Sequence, residues 1–505
     1  MRVAMSFVTI FATLATLPLS AKPLQLVGPW EIHSLDPASN GVMFTRLQVA
    51  ETLVDADTKG QVRPGLASKW SVSPDGLSWT FQLRPNAFFH DGTAVAAAAV
   101  AAALEKARKK PGVIEQAPIQ TIRASDANTV VIELSKPFTP LAAMLAHPSL
   151  IILAPAAYGA DGGVTAVIGS GPYKIQQLAQ PQRVSVSYFV KWGGKVPVIK
   201  EAEYLSVGRG ESRALMAESG QADLVFGLDP VSLQRLKNNP ALQISSVTLP
   251  RSIQLKLNAS HPAMLSPKLR LALSQSLNRA AMATALLRDP EMAATQLFPP
   301  SMTAWHQKGL PALTYQPAMA MATFKASGWV KGSDGYLSRQ GKPFKLTLRT
   351  YPDRPELPTL ATAIQDQLKQ VGIQVEVKVG NSSEIPAAHK EGSLELALYA
   401  RNYAMAPDPI VTLMTDFAGD GGEWGAMRWH SETFDKALQQ LTSGKLDAVA
   451  NAKARLQVSS IIQSELPMIP VAWYRQSAVV NHRLAGVVLD PLERNYGLTG
   501  MSWRK

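Results

Sequence analysis

The stretch RPGLASKWSVSPDGLSWTFQLRPNAFFHDG, Arg63 to Gly92, is the most informative part of this chain. Within it, Ser73-Pro-Asp-Gly76 has the composition of a turn, because proline and glycine favour turn geometry. Residues Ser78 to Leu83 alternate between polar and apolar side chains, which is typical of a strand with one buried face. Taken alone, the stretch therefore predicts two strands joined by turns.

Further along the chain, residues 344–379 predict a strand, a helix and a second strand. The residues between Phe344 and Leu348 alternate, and those from Ile373 to Val379 alternate again. Between them, apolar residues recur at helical spacing on one face, namely Leu357, Leu360, Ile364, Leu368 and Val371. Gly372 stands where a glycine ends a helix. This βαβ pattern, and similar alternation throughout the 505 residues, predicts an α/β fold.

Residues 1–21 have the pattern of a secretory signal peptide. Arg2 is followed by an apolar run from Val8 to Leu19, and small residues precede a predicted cleavage site after Ala21. A membrane anchor is the alternative, but the run is shorter than the about 20 residues that a membrane span needs. We therefore expect export to the periplasm.

The composition of the chain limits which modifications and which binding partners we expect. The chain has no cysteine, which excludes disulfides and a lipid-modified N-terminal cysteine. Its formal net charge is +12, which favours anionic ligands. The longest basic cluster, Lys106 to Lys110, lies at the predicted end of a helix, where cations interact favourably with the helix dipole. We expect no nucleic-acid partner for an exported protein.

No local catalytic or cofactor motif is present in the sequence. Gly169-Ser-Gly171 lacks the spacing of a nucleophile elbow, and there is no phosphate-binding loop, dinucleotide fingerprint or His-Glu-x-x-His pair. The eight histidines are scattered. We therefore expect no cofactor and no enzymatic activity, with a dispersed catalytic triad left open.

The Arg63–Gly92 stretch and several later blocks resemble, in order, the peptide/nickel (family 5) solute-binding proteins of ABC importers. The later blocks are Ile168-Gly-Ser-Gly-Pro-Tyr173, Tyr188–Pro197, Ser219-Gly-Gln-Ala-Asp223, Pro267–Arg279 and Glu465–Pro470. The resemblance implies a two-lobe periplasmic binding protein fold of type II, of the large cluster with an extra subdomain in lobe I. It implies that residues 22–249 and 476–505 form lobe I, that residues 250–475 form lobe II, and that the hinge lies near Pro250 and Trp473.

The resemblance also implies a function. The protein would capture a short peptide or a metal-chelator complex, such as nickel with an opine-type metallophore, and deliver it as a monomer to the ABC permease. Residues 401–409 slightly favour the chelator class. Two alternatives stay open: a secreted peptide hydrolase or amidase, and a non-selective chaperone-like binder.

The predicted ligand-binding residues come from the same resemblance. Met43, Phe44 and Arg46 belong to a segment that runs along the cleft in relatives. The guanidinium of Arg46 would offer paired N–H donors to a ligand carboxylate. His147 takes the place of an arginine in nickel-binding members, so it would bind an anion when protonated or a metal when neutral. A loop histidine without a ligand is the alternative.

The predicted second wall of the site is YARNYAMAPDP, Tyr399 to Pro409. Arg401 and Tyr403 are the strongest candidates, and Asp408 would bind an amino group unless it only forms the turn. Aromatic residues predicted to line the pocket are Trp424, Trp429, Trp473 and Tyr474, with core packing as the alternative for each.

Overall fold

The structure is a computed structural model that describes residues 22–419, 421–444 and 446–504. The predicted signal peptide, residues 1–21, lies outside the described residues, so it stays a prediction. Strands and helices alternate along the chain, which agrees with the predicted α/β class.

The strands are Leu24–Gly28 (β1), Val54–Ala56 (β2), Val62–Pro64 (β3), Ala67–Val72 (β4), Ser78–Leu83 (β5), Ile119–Ala124 (β6), Thr129–Leu134 (β7), Tyr173–Ala179 (β8), Arg183–Tyr188 (β9), Glu201–Ser206 (β10), Leu224–Phe226 (β11), Leu242–Leu257 (β12), Val330–Lys331 (β13), Leu337–Arg339 (β14), Lys342–Pro343 (β15), Lys345–Thr350 (β16), Gln374–Val379 (β17), Leu396–Asn402 (β18), Met468–Asn481 (β19), Leu484–Ala485 (β20) and Ser502–Trp503 (β21).

The α-helices are Pro37–Arg46 (α1), Ala97–Arg108 (α2), Leu141–Met144 (α3), Gly210–Glu218 (α4), Pro230–Leu236 (α5), Pro267–Gln275 (α6), Arg279–Ala285 (α7), Pro317–Ala326 (α8), Glu356–Gln370 (α9), Glu384–Glu391 (α10), Ile410–Phe417 (α11), Glu432–Thr442 (α12) and Ala448–Glu465 (α13). Short 3-10 helices lie at Val113–Gln116, Pro148–Leu150, Pro155–Ala157, Pro290–Met292 and Leu498–Gly500.

The Arg63–Gly92 stretch forms the hairpin β4–β5 of a four-stranded sheet with the order β4-β5-β7-β6. In its turn, the Gly76 amide donates to the Ser73 carbonyl at 2.8 Å, and Gly76 has a φ of +76° that favours glycine. Trp79, Phe81 and Leu83 are buried on one face of β5. The predicted hairpin is therefore confirmed, and it belongs to a subdomain with its own hydrophobic core.

The predicted βαβ unit is also confirmed. Strands β16 and β17 pair in parallel from Lys345 with Gln374 to Thr350 with Val379, and α9 connects them. The predicted apolar face of α9 is buried, and Gly372 follows the helix with a φ of +85°. The periodicity of the sequence was sufficient here because the burying partner, the sheet, is built by the same segment.

A ten-stranded sheet connects the two halves of the molecule in the order β17-β16-β18-β12-β19-β11-β1-β10-β9-β8. Its two long central strands, β12 and β19, pair antiparallel from Leu242 with Asn481 to Lys256 with Met468. Strand β18 pairs with the later part of β12, whereas β11 pairs with the later part of β19. The two halves of the sheet therefore meet at β12 and β19, whose register shifts near Pro250.

The hydrophobic cores follow the same division. One cluster contains only residues between Ile253 and Ala472. Other clusters draw on the first part of the chain and on residues from Ala478 onward. An exception is Val411 of α11, which packs into the core of the four-stranded sheet and so brings the two halves into contact. The lobe boundaries themselves stay a prediction.

His90, in the quoted stretch, supplies a testable pH dependence. Its ring Nε2 lies 2.9 Å from the Gly171 carbonyl oxygen, and burial lowers the pKa of His90 to about 4. The unfolded chain, with a histidine pKa of about 6.5, binds more protons between these two pH values. The free energy of unfolding should therefore fall as the pH falls from about 6.5 to 4, by up to about 3 kcal/mol from this residue.

Urea unfolding at pH 7 and pH 4.5 measures this loss. His90→Gln keeps an amide donor for Gly171 and should reduce the loss, whereas the exposed His482→Gln should not change it. An equal pH dependence in all three proteins would contradict the assignment.

Candidate ligand-binding site

A cleft of about 1450 Å³ lies where the two halves of the molecule face each other. Trp30, Met43 and Arg46 line one side, and Arg354, Arg401 and Tyr474 line the other. Its lining includes eight lysines and arginines but only five aspartates and glutamates. The cleft therefore carries an excess of positive charge and favours an anionic group on the ligand.

Glu493 neutralises several of these cations at the base of the cleft. Arg46 donates from Nε to the Glu493 carbonyl at 2.8 Å and from Nη2 to Oε1 at 3.3 Å. Arg251 and Asn402 both donate to Oε2, Asn402 at 3.0 Å. Although burial opposes ionisation, Arg251, Arg46 and Arg354 hold the pKa of Glu493 below its usual value. Glu493 is therefore ionised, and its negative charge is already paired with Arg46 and Arg251.

Arg401 forms a second buried pair, with Asp416. Nε and Nη2 of Arg401 donate to the two carboxylate oxygens, each at 2.7 Å. The Asp416 side chain is only 1% exposed, whereas that of Arg401 is 28% exposed. Nη1 of Arg401 has no hydrogen-bond partner among the described residues, so it remains available to a ligand in the cleft.

Arg354 has a different environment, because no carboxylate of the described residues lies within ion-pair distance of its guanidinium. Its Nη1 donates to the Tyr474 hydroxyl at 3.0 Å, and its Cζ lies 5.1 Å from the Tyr474 ring centroid. Arg251 lies at the same distance from that ring. The Tyr474 ring thus makes cation–π contacts with two arginines. The positive charge of Arg354 is not paired with a carboxylate of the described residues, so it is free to pair with a ligand.

Trp424 reaches the cleft on a glycine-rich loop that buried polar side chains hold in place. The Nζ atom of the buried Lys256 donates to the carbonyls of Gly422 and Glu423, at 3.1 and 3.0 Å, and to that of Gly425. The Tyr399 hydroxyl donates to the Trp424 carbonyl. Burial lowers the pKa of Lys256 to about 7. The three contacts of Lys256 Nζ with loop carbonyls nevertheless hold the loop that carries Trp424.

The structure brings three of the predicted ligand-binding residues to the cleft, namely Met43, Arg46 and Arg401. Trp424 and Tyr474 also line it. Arg46 lies 4.4 Å from the Trp30 ring centroid and donates to Glu493, so two of its three guanidinium nitrogens are engaged by the protein.

Other predicted residues have structural roles away from the cleft lining. Phe44 and Tyr403 are completely buried, and the Tyr403 hydroxyl donates to Gln254 Oε1 at 2.9 Å. The Trp473 indole donates to the Gln296 carbonyl at 3.0 Å. These three side chains are enclosed by the core, which is why the structure does not present them to a ligand.

Asp408 and Trp429 are likewise engaged elsewhere. Asp408 accepts from the Ile410 amide at 3.0 Å and from Arg455 Nη2 at 2.8 Å, so its predicted alternative, a turn-forming residue, agrees with the structure. The Trp429 indole donates to Glu465 at 2.8 Å. Neither residue lines the cleft.

His147 also lies outside the cleft lining. Its Nδ1 accepts from the Ser149 amide at 3.2 Å and begins a 3-10 helix. Burial, together with Arg494 and Arg401, lowers the pKa of His147 to about 4. The ring is therefore neutral at neutral pH, which opposes its predicted role as a protonated anion ligand. Within residues 22–419, 421–444 and 446–504, no three His, Cys, Asp or Glu side chains form a group that could hold a metal ion.

The sequence interpretation missed Arg251, Arg354 and Glu493. A signal for Arg354 existed, because it follows the end of β16, and the carboxyl ends of strands in α/β sheets commonly carry ligand-binding residues. Glu493 gives no such signal, because its partners Arg46 and Arg251 are distant in sequence.

The two halves share the long strands β12 and β19 and enclose a positively charged cleft, which is the architecture of a two-lobe solute-binding protein. Residues 61–423 match the family model described as "Bacterial extracellular solute-binding proteins, family 5 Middle". The chain therefore belongs to the family 5 solute-binding proteins of ABC importers, as its motifs predicted.

Known relatives agree with this assignment. The chain is 29% identical over 348 residues to the glutathione-binding protein GsiB of Escherichia coli O6:K15:H31 (strain 536 / UPEC), which covers 67% of this chain and 65% of that protein. It is 25% identical over 486 residues to the nickel-binding periplasmic protein of Escherichia coli (strain K12), covering 92% and 91%.

Among solved structures, NikA from Brucella suis in complex with Fe(III)-EDTA superposes with a TM-score of 0.85 at 22% identity, covering 95% of this chain and 100% of that chain. The predicted two-lobe periplasmic binding protein fold is thus confirmed. No helix of the described residues is both long enough and apolar enough to span a membrane.

Proposed function

We propose that this protein is exported, captures a small solute bearing at least one carboxylate between its lobes, and delivers it to an ABC permease. The observation that carries the proposal is Arg354, a cleft-lining guanidinium without a carboxylate partner among the described residues. Arginine recognises carboxylates through charge-assisted hydrogen bonds, often two at once. A ligand carboxylate would therefore supply the partner that the protein does not.

The neighbouring charges support an anionic ligand group. Arg401 has one nitrogen left for a ligand after pairing with Asp416, and Arg288 lines the cleft with no ion-pair partner among the described residues. Glu493, by contrast, is held by Arg46 and Arg251 and offers no free charge. Favourable charge interactions therefore remain for a carboxylate.

The ligand classes that remain are a short peptide and a metal-chelator complex. Relatives are named for glutathione and for nickel, and the NikA structure holds a metal complexed by EDTA. No group of three or more His, Cys, Asp or Glu side chains among the described residues could hold a metal ion. A metal would therefore enter this cleft already bound to a chelator, with the chelator's carboxylates facing the arginines. His147, neutral and outside the lining, is not needed in this proposal.

Ligand capture would use the shared strands as a hinge. With the predicted boundaries, Arg251 and Asn402 belong to lobe II and Glu493 to lobe I, so their hydrogen bonds connect the lobes beside the crossing near Pro250. A ligand that contacts both Arg354 and the lobe I wall would favour the closed arrangement. The exported protein would act in the periplasm as a monomer and would catalyse no reaction.

A thermal-shift screen tests the ligand class. Reduced glutathione, free tripeptides and nickel with L-histidine or EDTA should be compared with the corresponding esters and C-terminal amides. Selective binding to the folded protein raises its melting temperature, and a ligand at 100 times its dissociation constant adds about 2.7 kcal/mol. We expect at least one free carboxylate compound to stabilise the protein and its ester or amide to have a smaller effect.

Equal stabilisation by acid and ester, or no stabilisation by any carboxylate compound, would contradict the proposal. Incubating the stabilising compound with the protein and analysing it by mass spectrometry distinguishes binding from the hydrolase alternative. The compound should be recovered unchanged.

A further inference from the structure

The loop that joins β9 to β10, residues 189–200, has an exposed surface that lies outside the cleft and that the proposed function does not use. Strands β9 and β10 are antiparallel neighbours, and such a pair needs a connection of only about two to five residues. Strands β8 and β9 are joined in that way, by residues 180–182. The β9–β10 loop is therefore longer than the pairing of its strands requires, as loops with a binding role commonly are.

The β9–β10 loop is held firmly at its base. The Tyr188 amide donates to the Lys200 carbonyl at 2.7 Å, which brings the two ends of the loop together. Phe189 and Ile199 are buried, and the centroid of the Phe189 ring lies 4.9 Å from that of the His90 ring. The outer part of the loop is therefore presented from a fixed base.

Three valines of this loop face solvent, although valine is usually buried. Val190, Val196 and Val198 are 82%, 56% and 63% exposed. In the second arm of the loop exposure alternates along the chain, with Pro197 and Ile199 buried, so Val196 and Val198 share the outer face. Apolar side chains grouped in this way, rather than scattered singly, indicate an interaction surface.

The charge of the loop is entirely positive. It contains Lys191, Lys195 and Lys200 and no acidic residue, and all three lysines are exposed. No carboxylate of the described residues lies within ion-pair distance of these lysines, including those of the flanking acids Asp91 and Glu201. Three cations therefore remain for an anionic partner, in a protein whose formal net charge is already +12.

The residue types of the loop favour a lipid surface over a second protein. A specific protein interface buries about 800 Å² on each partner and contains directional hydrogen bonds, which is more than one loop offers. Lysine is a flexible point charge that needs no exact geometry, and tryptophan is enriched at the headgroup level of membranes. Trp192 is half-buried in this loop, 5.1 Å below the Arg84 guanidinium.

We propose that the β9–β10 loop is a docking surface for anionic phospholipid headgroups and associates the exported protein reversibly with the periplasmic face of the inner membrane. The three lysines would contact the headgroups, and the three exposed valines would enter the boundary between headgroups and acyl chains. None of residues 189–200 lines the cleft, so docking leaves the cleft accessible. The inference rests on the proposed export, but it does not depend on the identity of the solute.

Vesicle flotation of the mature protein tests this surface. Vesicles of phosphatidylcholine alone are compared with vesicles of phosphatidylglycerol and phosphatidylcholine in equal parts. Since each lysine near an anionic surface adds to the attraction, the partition coefficient should be at least about tenfold higher on the anionic vesicles. The difference should disappear in about 1 M NaCl, where the Debye length is about 3 Å.

A charge variant assigns this binding to the loop. Lys191→Gln/Lys195→Gln/Lys200→Gln should lower the partition coefficient on anionic vesicles at least about tenfold. A matched control removes the same charge from exposed lysines outside the loop and should lower it less than about threefold. The control is Lys308→Gln/Lys331→Gln/Lys453→Gln.

An apolar variant tests insertion separately from charge. Val190→Ser/Val196→Ser/Val198→Ser keeps every lysine and should also weaken binding about tenfold, because apolar surface no longer enters the membrane. Val449→Ser, which changes a valine that is 79% exposed on α13, should leave binding unchanged. The melting temperatures of all variants should stay near that of the wild type, because the replaced side chains are exposed.

Three results would overturn the lipid surface and leave the solute proposal standing, because the thermal-shift screen does not involve lipid. They are no preference of the wild type for anionic vesicles, equal losses in the charge variant and its control, and unchanged binding in both loop variants. Binding to spheroplasts that is abolished when protease digests their surface, without binding to pure lipid, would instead assign the loop to a protein partner.

Discussion

Replacing Glu493 with alanine is expected to reduce the free energy of unfolding by roughly 3–5 kcal/mol, because it leaves buried charges without their partner. Arg46 and Arg251 are 5% and 7% exposed, and both donate to the Glu493 carboxylate. Both guanidinium groups are thus almost completely removed from solvent. The effect should therefore exceed that of an ordinary surface ion pair, which contributes about 0–1 kcal/mol.

Urea denaturation of wild type, Glu493→Ala and Glu432→Ala measures this difference. Glu432 is 78% exposed and pairs with Lys436 at 3.5 Å on α12, so its removal should change stability by less than about 0.5 kcal/mol. Glu493→Gln should fall between them, since it keeps the shape and one acceptor oxygen but loses the charge and the second acceptor. Equal stabilities for Glu493→Ala and Glu432→Ala would show that Glu493 is not the anchor of the cleft.

Replacing Arg354 with glutamine is expected to weaken binding of the carboxylate solute by about 10- to 100-fold. A hydrogen bond to a charged group contributes roughly 1.5–3 kcal/mol, and each 1.4 kcal/mol is tenfold in affinity. Since Arg354 forms no ion pair with a carboxylate of the described residues, and Arg46 and Arg251 remain to pair with Glu493, its removal breaks no salt bridge. Calorimetry should therefore show lost affinity while the melting temperature of the free protein stays nearly unchanged.

Arg123→Gln serves as the control for this variant. Arg123 is 54% exposed in the four-stranded sheet and lies 3.6 Å from Glu133, away from the cleft. Unchanged affinity in Arg354→Gln would remove Arg354 from the site. Arg401→Ala is a less informative variant, because it leaves Asp416 buried without its partner and so combines a loss of stability with any loss of binding.

The elements that could be predicted from the sequence are those whose partners are close in the chain. The hairpin of Arg63–Gly92 and the βαβ unit of residues 344–379 each contain the turn and the periodicity that define them. The family could be predicted as well, because its blocks occur in order along the chain. The α/β class could likewise be predicted from local patterns of strands and helices, without knowing which distant residues are in contact.

The candidate site was predicted less well, because it depends on distant contacts. Arg401 was predicted, but its buried partner Asp416 was not. Glu493 lies hundreds of residues from Arg46 and Arg251 and follows no motif. Asp408 matched the family pattern, yet a local turn and Arg455 engage it. Charge pairing in the folded protein, rather than residue type, decides which groups are free to bind a ligand.

Native mass spectrometry of the mature protein, purified without dialysis, tests the central claim most directly. The account predicts a single non-covalent adduct of a small carboxylate-bearing compound that is lost on denaturation and is greatly reduced in Arg354→Gln. An adduct without a carboxylate, or one retained equally by Arg354→Gln, would contradict a carboxylate-binding cleft centred on Arg354.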